Sequence, residues 1–101
     1  MKILFLGDVV GISGCSKLMN SLLDEIKLKE IDFVIVNGEN AAAKGFGLTK
    51  EICQDFFNCG VNVITTGNHV WDQKEIMEFI EKEERLLRPQ NLFEPAPGKG
   101  F

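Results

Sequence analysis

The sequence predicts an α/β fold with a small parallel sheet, and two regularities of the chain lead to this prediction. Three short apolar runs, at residues 2–6, 31–36 and 61–66, have the length and composition of strands. Segments with helical apolar spacing separate them, with a repeat of about 30 residues that is typical of βαβ units. With 101 residues, the chain is long enough for one small domain with a single core.

The first strand and the helix after it are predicted from apolar patterning. Lys2–Leu6 is a short, mainly apolar run closed by Gly7 and Asp8, which indicates a strand buried on both faces. A helix is expected from about Ser16 to Lys29, because one stripe of its surface carries Leu18, Met19, Leu22, Leu23 and Ile26.

A second strand and a second helix follow in the middle of the chain. Ile31–Val36 is apolar and β-branched, and the small, Gly-rich segment Ala41–Gly47 predicts a loop. Thr49 is a favourable N-cap for a helix that ends at Gly60. The buried side of this helix is expected to carry Ile52, Cys53, Phe56 and Phe57.

The last third of the chain predicts one more strand and one more helix. Val61–Thr66 reads as the third strand, and Asp72 with Glu75 reads as a capping box. The helix behind that box would bury Ile76, Phe79 and Ile80, and the chain is expected to be irregular from Leu86 onward. These elements form a parallel βαβαβα unit, which we expect to be a three-stranded half-sheet in a three-layer arrangement.

Charge and cysteine usage narrow the class of protein. The net charge of −4 and the pI of about 4.9 do not indicate a basic surface for nucleic acid or an anionic membrane. No apolar run approaches the ~18 residues of a membrane helix. Three cysteines without CxxC spacing favour neither a disulfide framework nor a zinc site, so we expect structural thiols and a cytoplasmic protein.

Each predicted strand ends in a glycine followed by side chains that can bind a metal. These clusters are Gly7-Asp8, Gly38-Glu39-Asn40 and Gly67-Asn68-His69. Because ligands bind at the carboxyl ends of parallel strands, the three clusters should meet in one crevice. Carboxylate and amide oxygens favour Mg²⁺, Mn²⁺ or Fe, and two ions about 3.5–4 Å apart can activate water against a phosphoryl group.

Taken singly, each of these residues also has an ordinary structural explanation. Asp8 could cap the turn after a strand, Asn68 could be a turn residue, and His69 could be a hydrogen-bonded surface histidine. The order of all three clusters at equivalent strand ends favours the metal site instead.

The same motifs carry a resemblance to a known family. The sequence resembles the calcineurin-like metallophosphoesterase superfamily and, within it, the bacterial YmdB-type branch. The stretches that resemble this branch are Gly7-Asp8-Val9-Val10-Gly11, Asn37-Gly38-Glu39-Asn40-Ala41-Ala42, Gly67-Asn68-His69-Val70-Trp71-Asp72 and Leu87-Arg88-Pro89-Gln90-Asn91. The resemblance implies that residues 1–101 are the N-terminal half of a metallophosphoesterase sandwich.

The resemblance also implies roles for individual residues. Asp8 and Asn40 would bind one metal ion, Glu39 would bridge two ions, and Asn68 would bind the second. His69 would donate a proton to the leaving oxygen. Iron or manganese are the implied metals, with magnesium as a further option, and the implied substrate is a phosphodiester such as a 2′,3′-cyclic nucleotide.

Two departures from the family pattern bear on activity. Gly14-Cys15 stands where the family has an arginine, which puts a phosphate or packing contact there in doubt. The family also supplies three further metal-binding histidines from later strands, whereas His69 is the only histidine in this chain. We therefore expect weak metal binding and little or no turnover from these 101 residues alone.

Two other classes of function remain open from the sequence. A truncated or split product would leave a sheet edge and apolar surface uncovered, and would favour a homo-oligomer or a complementing chain. A Rossmann-like nucleotide-binding module would use Gly7, Gly11 and Gly14 as its phosphate loop, with Glu39 on the ribose. The spacing is not G-x-G-x-x-G, and Asp8 would place negative charge beside a pyrophosphate.

Overall fold

The computed structural model describes residues 1–101 as a four-stranded parallel sheet with three helices. The strands are β1 (Ile3–Leu6), β2 (Phe33–Asn37), β3 (Val63–Thr65) and β4 (Leu86–Leu87), and the helices are α1 (Gly11–Lys29), α2 (Lys50–Asn58) and α3 (Ile76–Lys82). The strands lie in the order β1-β2-β3-β4, so each helix connects two neighbouring strands. This arrangement confirms the predicted parallel α/β fold.

The core lies on one face of the sheet. Side chains alternate between the two faces of a strand, and the register places Leu6, Val36, Ile64 and Leu86 in one row across all four strands. Three members of this row are buried, and Leu6 packs against them. The same core contains residues of all three helices: Cys15, Leu18 and Leu22 of α1, Cys53 and Phe56 of α2, and Ile76 and Ile80 of α3.

The opposite face of the sheet is not covered by a helix. Ile3 and Phe5 of β1 are 56% and 59% exposed, and their neighbours Phe33, Ile35 and Val63 are only half-buried and lie outside the core. The expected three-layer arrangement is therefore wrong for this chain, and so is the expectation that the first strand is buried on both faces. Because the strand order runs in one direction, successive right-handed crossovers place every helix on the same side.

The first helix begins at Gly11 rather than near Ser16. The prediction missed the first turn because Gly and Ser disfavour helix and carry no apolar stripe. Tertiary packing stabilises this turn instead. Gly14 lies against Val9, where an added Cβ would be 3.2 Å from the Val9 Cγ1, and the Gly11 N–H donates to the Asn40 carbonyl over 3.0 Å.

One predicted helix start is confirmed and the other is wrong. Thr49 caps α2, because its hydroxyl accepts a hydrogen bond from the Ile52 N–H at 3.2 Å. Asp72 and Glu75 do not form a capping box. The Asp72 carboxylate contacts the His69 ring, and the Glu75 carboxylate accepts a bond from the Lys50 N–H. Asp72 and Glu75 therefore bond to residues outside the helix start instead of capping it.

The segment from Leu86 onward is mostly irregular, as predicted, but it adds a strand that the sequence did not reveal. A strand of two residues is too short to show an alternation of apolar and polar side chains, so the sequence does not predict β4. The buried Arg88 guanidinium orders the residues that follow by donating to the Gly98 and Pro89 carbonyls and to the Glu94 carboxylate. The sheet therefore has four strands rather than the expected three.

The remaining sequence expectations concern cysteines and membranes. All three cysteines, Cys15, Cys53 and Cys59, are free and buried, as expected for structural thiols. Burial raises the pKa of the Cys53 thiol, which keeps it neutral inside the core. No helix in the structure combines the length and the apolar character needed to cross a bilayer.

Candidate functional site

The three clusters predicted from the sequence meet at the carboxyl ends of β1, β2 and β3. Backbone hydrogen bonds continue the sheet pattern past the strand ends and connect the loops there. The Val9 N–H donates to the Asn37 carbonyl over 3.2 Å, and the Gly38 N–H donates to the Thr65 carbonyl over 3.0 Å. The loops that follow β1, β2 and β3 therefore come together at one edge of the sheet.

Asp8 and Asn40 form the first pair at this edge. The Asn40 side-chain N–H donates to the Asp8 carboxylate, with 3.0 Å between Nδ2 and Oδ1. The Asn40 Oδ1 atom is buried and has no hydrogen-bond partner. A buried carbonyl oxygen without a donor is costly, so this atom is suited to a ligand that the protein itself does not supply.

Glu39 forms the second contact, with the turn after β3. One of its carboxylate oxygens, Oε2, accepts a hydrogen bond from the His69 backbone N–H at 3.3 Å. Gly67 makes this approach possible, because a Cβ at that position would be 2.6 Å from the Glu39 carboxyl carbon. A larger residue at position 67 would require the Glu39 carboxylate to move away from the His69 N–H.

His69 and Asn68 lie beside each other in this turn but in different surroundings. Asn68 is exposed, and its side chain makes none of the hydrogen bonds that join the other site residues. His69 is half-buried, and its Nδ1 lies 2.7 Å from Oδ2 of Asp72. Its ring also lies against Phe46, with 5.1 Å between ring centroids and 47° between the planes.

The donor atoms fit hard or borderline cations. Asp8 and Glu39 supply carboxylate oxygens, and Asn40 supplies the amide oxygen that lacks a partner. These are the ligand types that Mg²⁺, Mn²⁺ and Fe prefer. No three His, Cys, Asp or Glu side chains lie together as a metal-binding group, so any ion here would depend on amide oxygens as well.

Two neighbours of the predicted acid were not identified as functional residues from the sequence. The spacing of Asp72 and Glu75 predicts a helix cap, and the small residues around Phe46 predict only a loop. The i, i+3 spacing of His69 and Asp72 was available as a signal, because a turn can bring such residues together. Nothing in the sequence places Phe46 next to His69, since 23 positions separate the two.

Gly14 and Cys15 stand where the resemblance expects an arginine. The Cys15 side chain is buried, and its thiol donates to the Ala41 carbonyl over 3.2 Å. Desolvation raises the pKa of this thiol, so it remains uncharged. The residue therefore packs α1 against the loop after β2 and offers no positive charge to a phosphate.

A cavity lies next to these strand ends. It is an open groove of about 600 Å³ between β1 and α1, and Asp8 is at one end of it. Apolar side chains form much of its wall, including Leu4, Leu6, Leu18 and Leu22. Of the proposed donor residues only Asp8 lines the groove, so the chemistry is assigned to the strand ends, where Glu39 and Asn40 also lie.

Two bacterial proteins are similar in sequence to this chain over nearly its whole length. A 2′,3′-cyclic-nucleotide 2′-phosphodiesterase from Bacillus subtilis is 46% identical over 102 residues, which cover 100% of this chain and 38% of that protein. A putative phosphatase/phosphodiesterase from Mycoplasma pneumoniae is 39% identical over 92 residues, covering 91% of this chain and 32% of that protein. The chain thus spans about a third of the length of these relatives.

Solved structures give the same picture of the fold. A hypothetical protein from Thermus thermophilus superposes with a TM-score of 0.91 at 40% identity, over 100% of this chain and 38% of the other. A novel phosphatase from Mycoplasma pneumoniae superposes with a TM-score of 0.87 at 36% identity, over 97% and 36%. The sequence pattern of one family, the YmdB-like proteins, matches residues 4–101. The chain belongs to the YmdB-like protein family.

Proposed function

We propose that this chain supplies part of a two-metal site for phosphodiester hydrolysis. The observation that carries the proposal is the pairing of Asp8 with Asn40, whose buried Oδ1 has no protein partner, beside the carboxylate of Glu39. The names of the relatives from Bacillus subtilis and Mycoplasma pneumoniae support hydrolysis of a phosphoester.

The proposed roles are those that the family resemblance implies for these residues. Asp8 and Asn40 would hold one ion, Asn68 would hold the other, and Glu39, in the middle of the cluster, would contact both. Iron or manganese, with magnesium as a further option, would supply positive charge for the phosphoryl group and lower the pKa of a water molecule. His69 would donate a proton to the leaving oxygen, since its Nε2 is not the nitrogen that contacts Asp72.

The proposed substrate class is a phosphodiester of the 2′,3′-cyclic-nucleotide type. It is transferred from the Bacillus subtilis relative, which is named for that activity. Free, buried thiols support a reducing cytoplasm as the place of action.

The ligand set on this chain is smaller than two ions require. An octahedral ion takes about six ligands, and the four proposed metal-binding residues would have to serve two ions. We therefore propose weak metal binding and little turnover for the 101 residues alone, with a complementing polypeptide or a second copy completing the site.

The test is hydrolysis of bis-(p-nitrophenyl) phosphate and a 2′,3′-cyclic nucleotide with added Mn²⁺. The chain is assayed alone and after co-expression with the part of the Bacillus subtilis relative that lies outside the matched region. We expect co-expression to raise turnover at least ~10-fold, with both Glu39→Gln and His69→Ala removing most of it.

Glu78→Gln, which removes an exposed carboxylate on α3, is the matched control and should leave the rate unchanged. Equal rates for Glu39→Gln and the wild type would contradict the proposed site. Turnover by the isolated chain within the usual enzyme range of about 1–10³ s⁻¹, abolished by Glu39→Gln, would contradict only the incomplete ligand set.

A further inference from the structure

The loop that carries Phe46 is fixed against the turn that carries Asp72. The Gln73 side chain donates to the Phe46 carbonyl over 3.2 Å. Gly47 lies against the same turn with a φ of +78°, and a Cβ there would be 2.9 Å from the Gln73 Cγ and 3.0 Å from the Asp72 Cβ. The loop and the turn therefore approach more closely than any residue with a side chain would permit.

Three residues contact His69: Glu39, Asp72 and Phe46. The His69 backbone N–H is bound by the Glu39 carboxylate at 3.3 Å, and its Nδ1 is bound by the Asp72 carboxylate at 2.7 Å. Phe46 lies against the ring at a centroid distance of 5.1 Å. The backbone N–H, the Nδ1 atom and the ring of His69 thus each have a neighbour, although the imidazole side chain remains 33% exposed.

We propose that Asp72 is a positioning residue for His69, and that Phe46 limits rotation of the imidazole. An ionised carboxylate only accepts hydrogen bonds, so its contact with Nδ1 requires the proton to be on Nδ1. Asp72 thereby fixes the tautomer of the neutral ring. In the imidazolium the same contact holds the Nδ1–H and leaves the Nε2–H as the group that can donate a proton to a substrate oxygen. The catalytic value of this arrangement rests on the proposed function, but the tautomer itself does not.

The contacts of Asp72 give it little importance for the stability of the fold. Asp72 is not the cap of α3, since the N-cap position is Glu75 and no side chain makes a capping bond there. The Asp72 side chain is 39% exposed, and exposed ion pairs contribute little to stability. Replacing Asp72 should therefore change which ring nitrogen of His69 carries the proton, while leaving the melting temperature of the chain nearly unchanged.

The test is NMR of the metal-free chain with ¹⁵N-labelled histidine, and a single histidine makes the assignment unambiguous. Spectra are compared at the alkaline end of a pH series, where imidazole carries one proton. We expect the Nδ1–H tautomer to dominate in the wild type and to lose that dominance in Asp72→Ala. Asp72→Asn provides a second variant of similar shape, and its uncharged amide should weaken the preference.

Glu78→Gln is the control, because it leaves the Asp72 carboxylate and the Gln73–Phe46 contact in place and should keep the Nδ1–H tautomer. A wild type without a predominant Nδ1–H tautomer, or an Asp72→Ala variant with an unchanged one, would overturn the proposal. Backbone amide spectra of the same samples establish that each variant is folded.

A kinetic comparison tests the catalytic part in the complemented, Mn²⁺-loaded form. Asp72→Ala should lower kcat at least ~10-fold with KM within about twofold, because positioning affects the proton transfer rather than substrate binding. An unchanged kcat would overturn the catalytic role of Asp72. If no sample hydrolyses a phosphodiester, the proposed function fails, and the tautomer measurement still decides whether Asp72 positions the ring.

Discussion

At the scale of single residues, the site combines an expected side chain with an unexpected backbone. Asp8 was predicted as a ligand because it follows a strand directly. The structure places it at a φ of +42°, in the left-handed region that residues other than glycine seldom adopt. Asp and Asn tolerate this region better than most residues, and strained backbone often lies at functional sites. In this conformation the Asp8 carboxylate accepts a hydrogen bond from the Asn40 side chain.

Two substitutions of Asp8 separate the energetic cost of its left-handed backbone conformation from the effect of losing its carboxylate. Asp8→Gly and Asp8→Ala both remove the carboxylate and its hydrogen bond to Asn40. Because Ala resists the left-handed conformation, we expect Asp8→Ala to be less stable than Asp8→Gly by about 1 kcal/mol. Thermal unfolding should show this as a difference of about 4–8 °C. An Ala variant at least as stable as the Gly variant would contradict the backbone assignment.

Residue types at the site were predictable, but their partners were not. Asp8, Glu39 and Asn40 could be placed at strand ends because parallel strands share one carboxyl edge. The pairing of His69 with Asp72 could not be predicted, since the spacing of Asp72 and Glu75 fits a capping box equally well. Only the close approach of two loops decides between these arrangements.

At the scale of elements, apolar periodicity predicted the helices and longer strands but not their ends. The cap at Thr49 was predictable because it depends on a residue three positions away. The first turn of α1 and the strand β4 were not, because distant contacts stabilise both. In the segment after β4, a single buried side chain, Arg88, bonds to three other residues.

We expect Arg88→Met to destabilise the chain by about 2–3 kcal/mol. The substitution keeps an apolar stem but leaves the Gly98 and Pro89 carbonyls without their donor. Removing the partner carboxylate with Glu94→Ala should cost less than about 1 kcal/mol, because Glu94 is 82% exposed. Denaturant unfolding of both variants gives the comparison, and equal losses would show that the ion pair, rather than the carbonyl contacts, stabilises this segment.

At the scale of the whole molecule, the sheet has one covered and one open face. The fold class was predictable from the alternation of strands and helices. The number of layers was not, because it depends on the strand order. The open face presents Ile3 and Phe5, the most exposed strand residues, beside half-buried Phe33 and Ile35. Contiguous apolar surface of this kind favours association.

We expect the isolated chain to self-associate through this face as its concentration rises. Phe5→Lys should shift the equilibrium toward monomer, because a charge on an exposed strand disfavours pairing and stacking. Leu28→Lys is the control, since Leu28 is 79% exposed near the end of α1, a helix that packs on the covered face of the sheet. Sedimentation equilibrium measures the effect. A wild type that remains a cooperatively melting monomer at all concentrations would contradict it.

A calorimetric titration of the folded chain with Mn²⁺ tests the proposed metal site without requiring turnover. We expect weak, saturable binding that Glu39→Gln weakens at least ~10-fold, a loss comparable to those seen when metal-site residues are replaced. Glu78→Gln should bind as the wild type does, because its carboxylate lies on α3, outside the crevice. A folded chain without saturable binding, or with equal affinity in Glu39→Gln, would contradict a metal site at these strand ends.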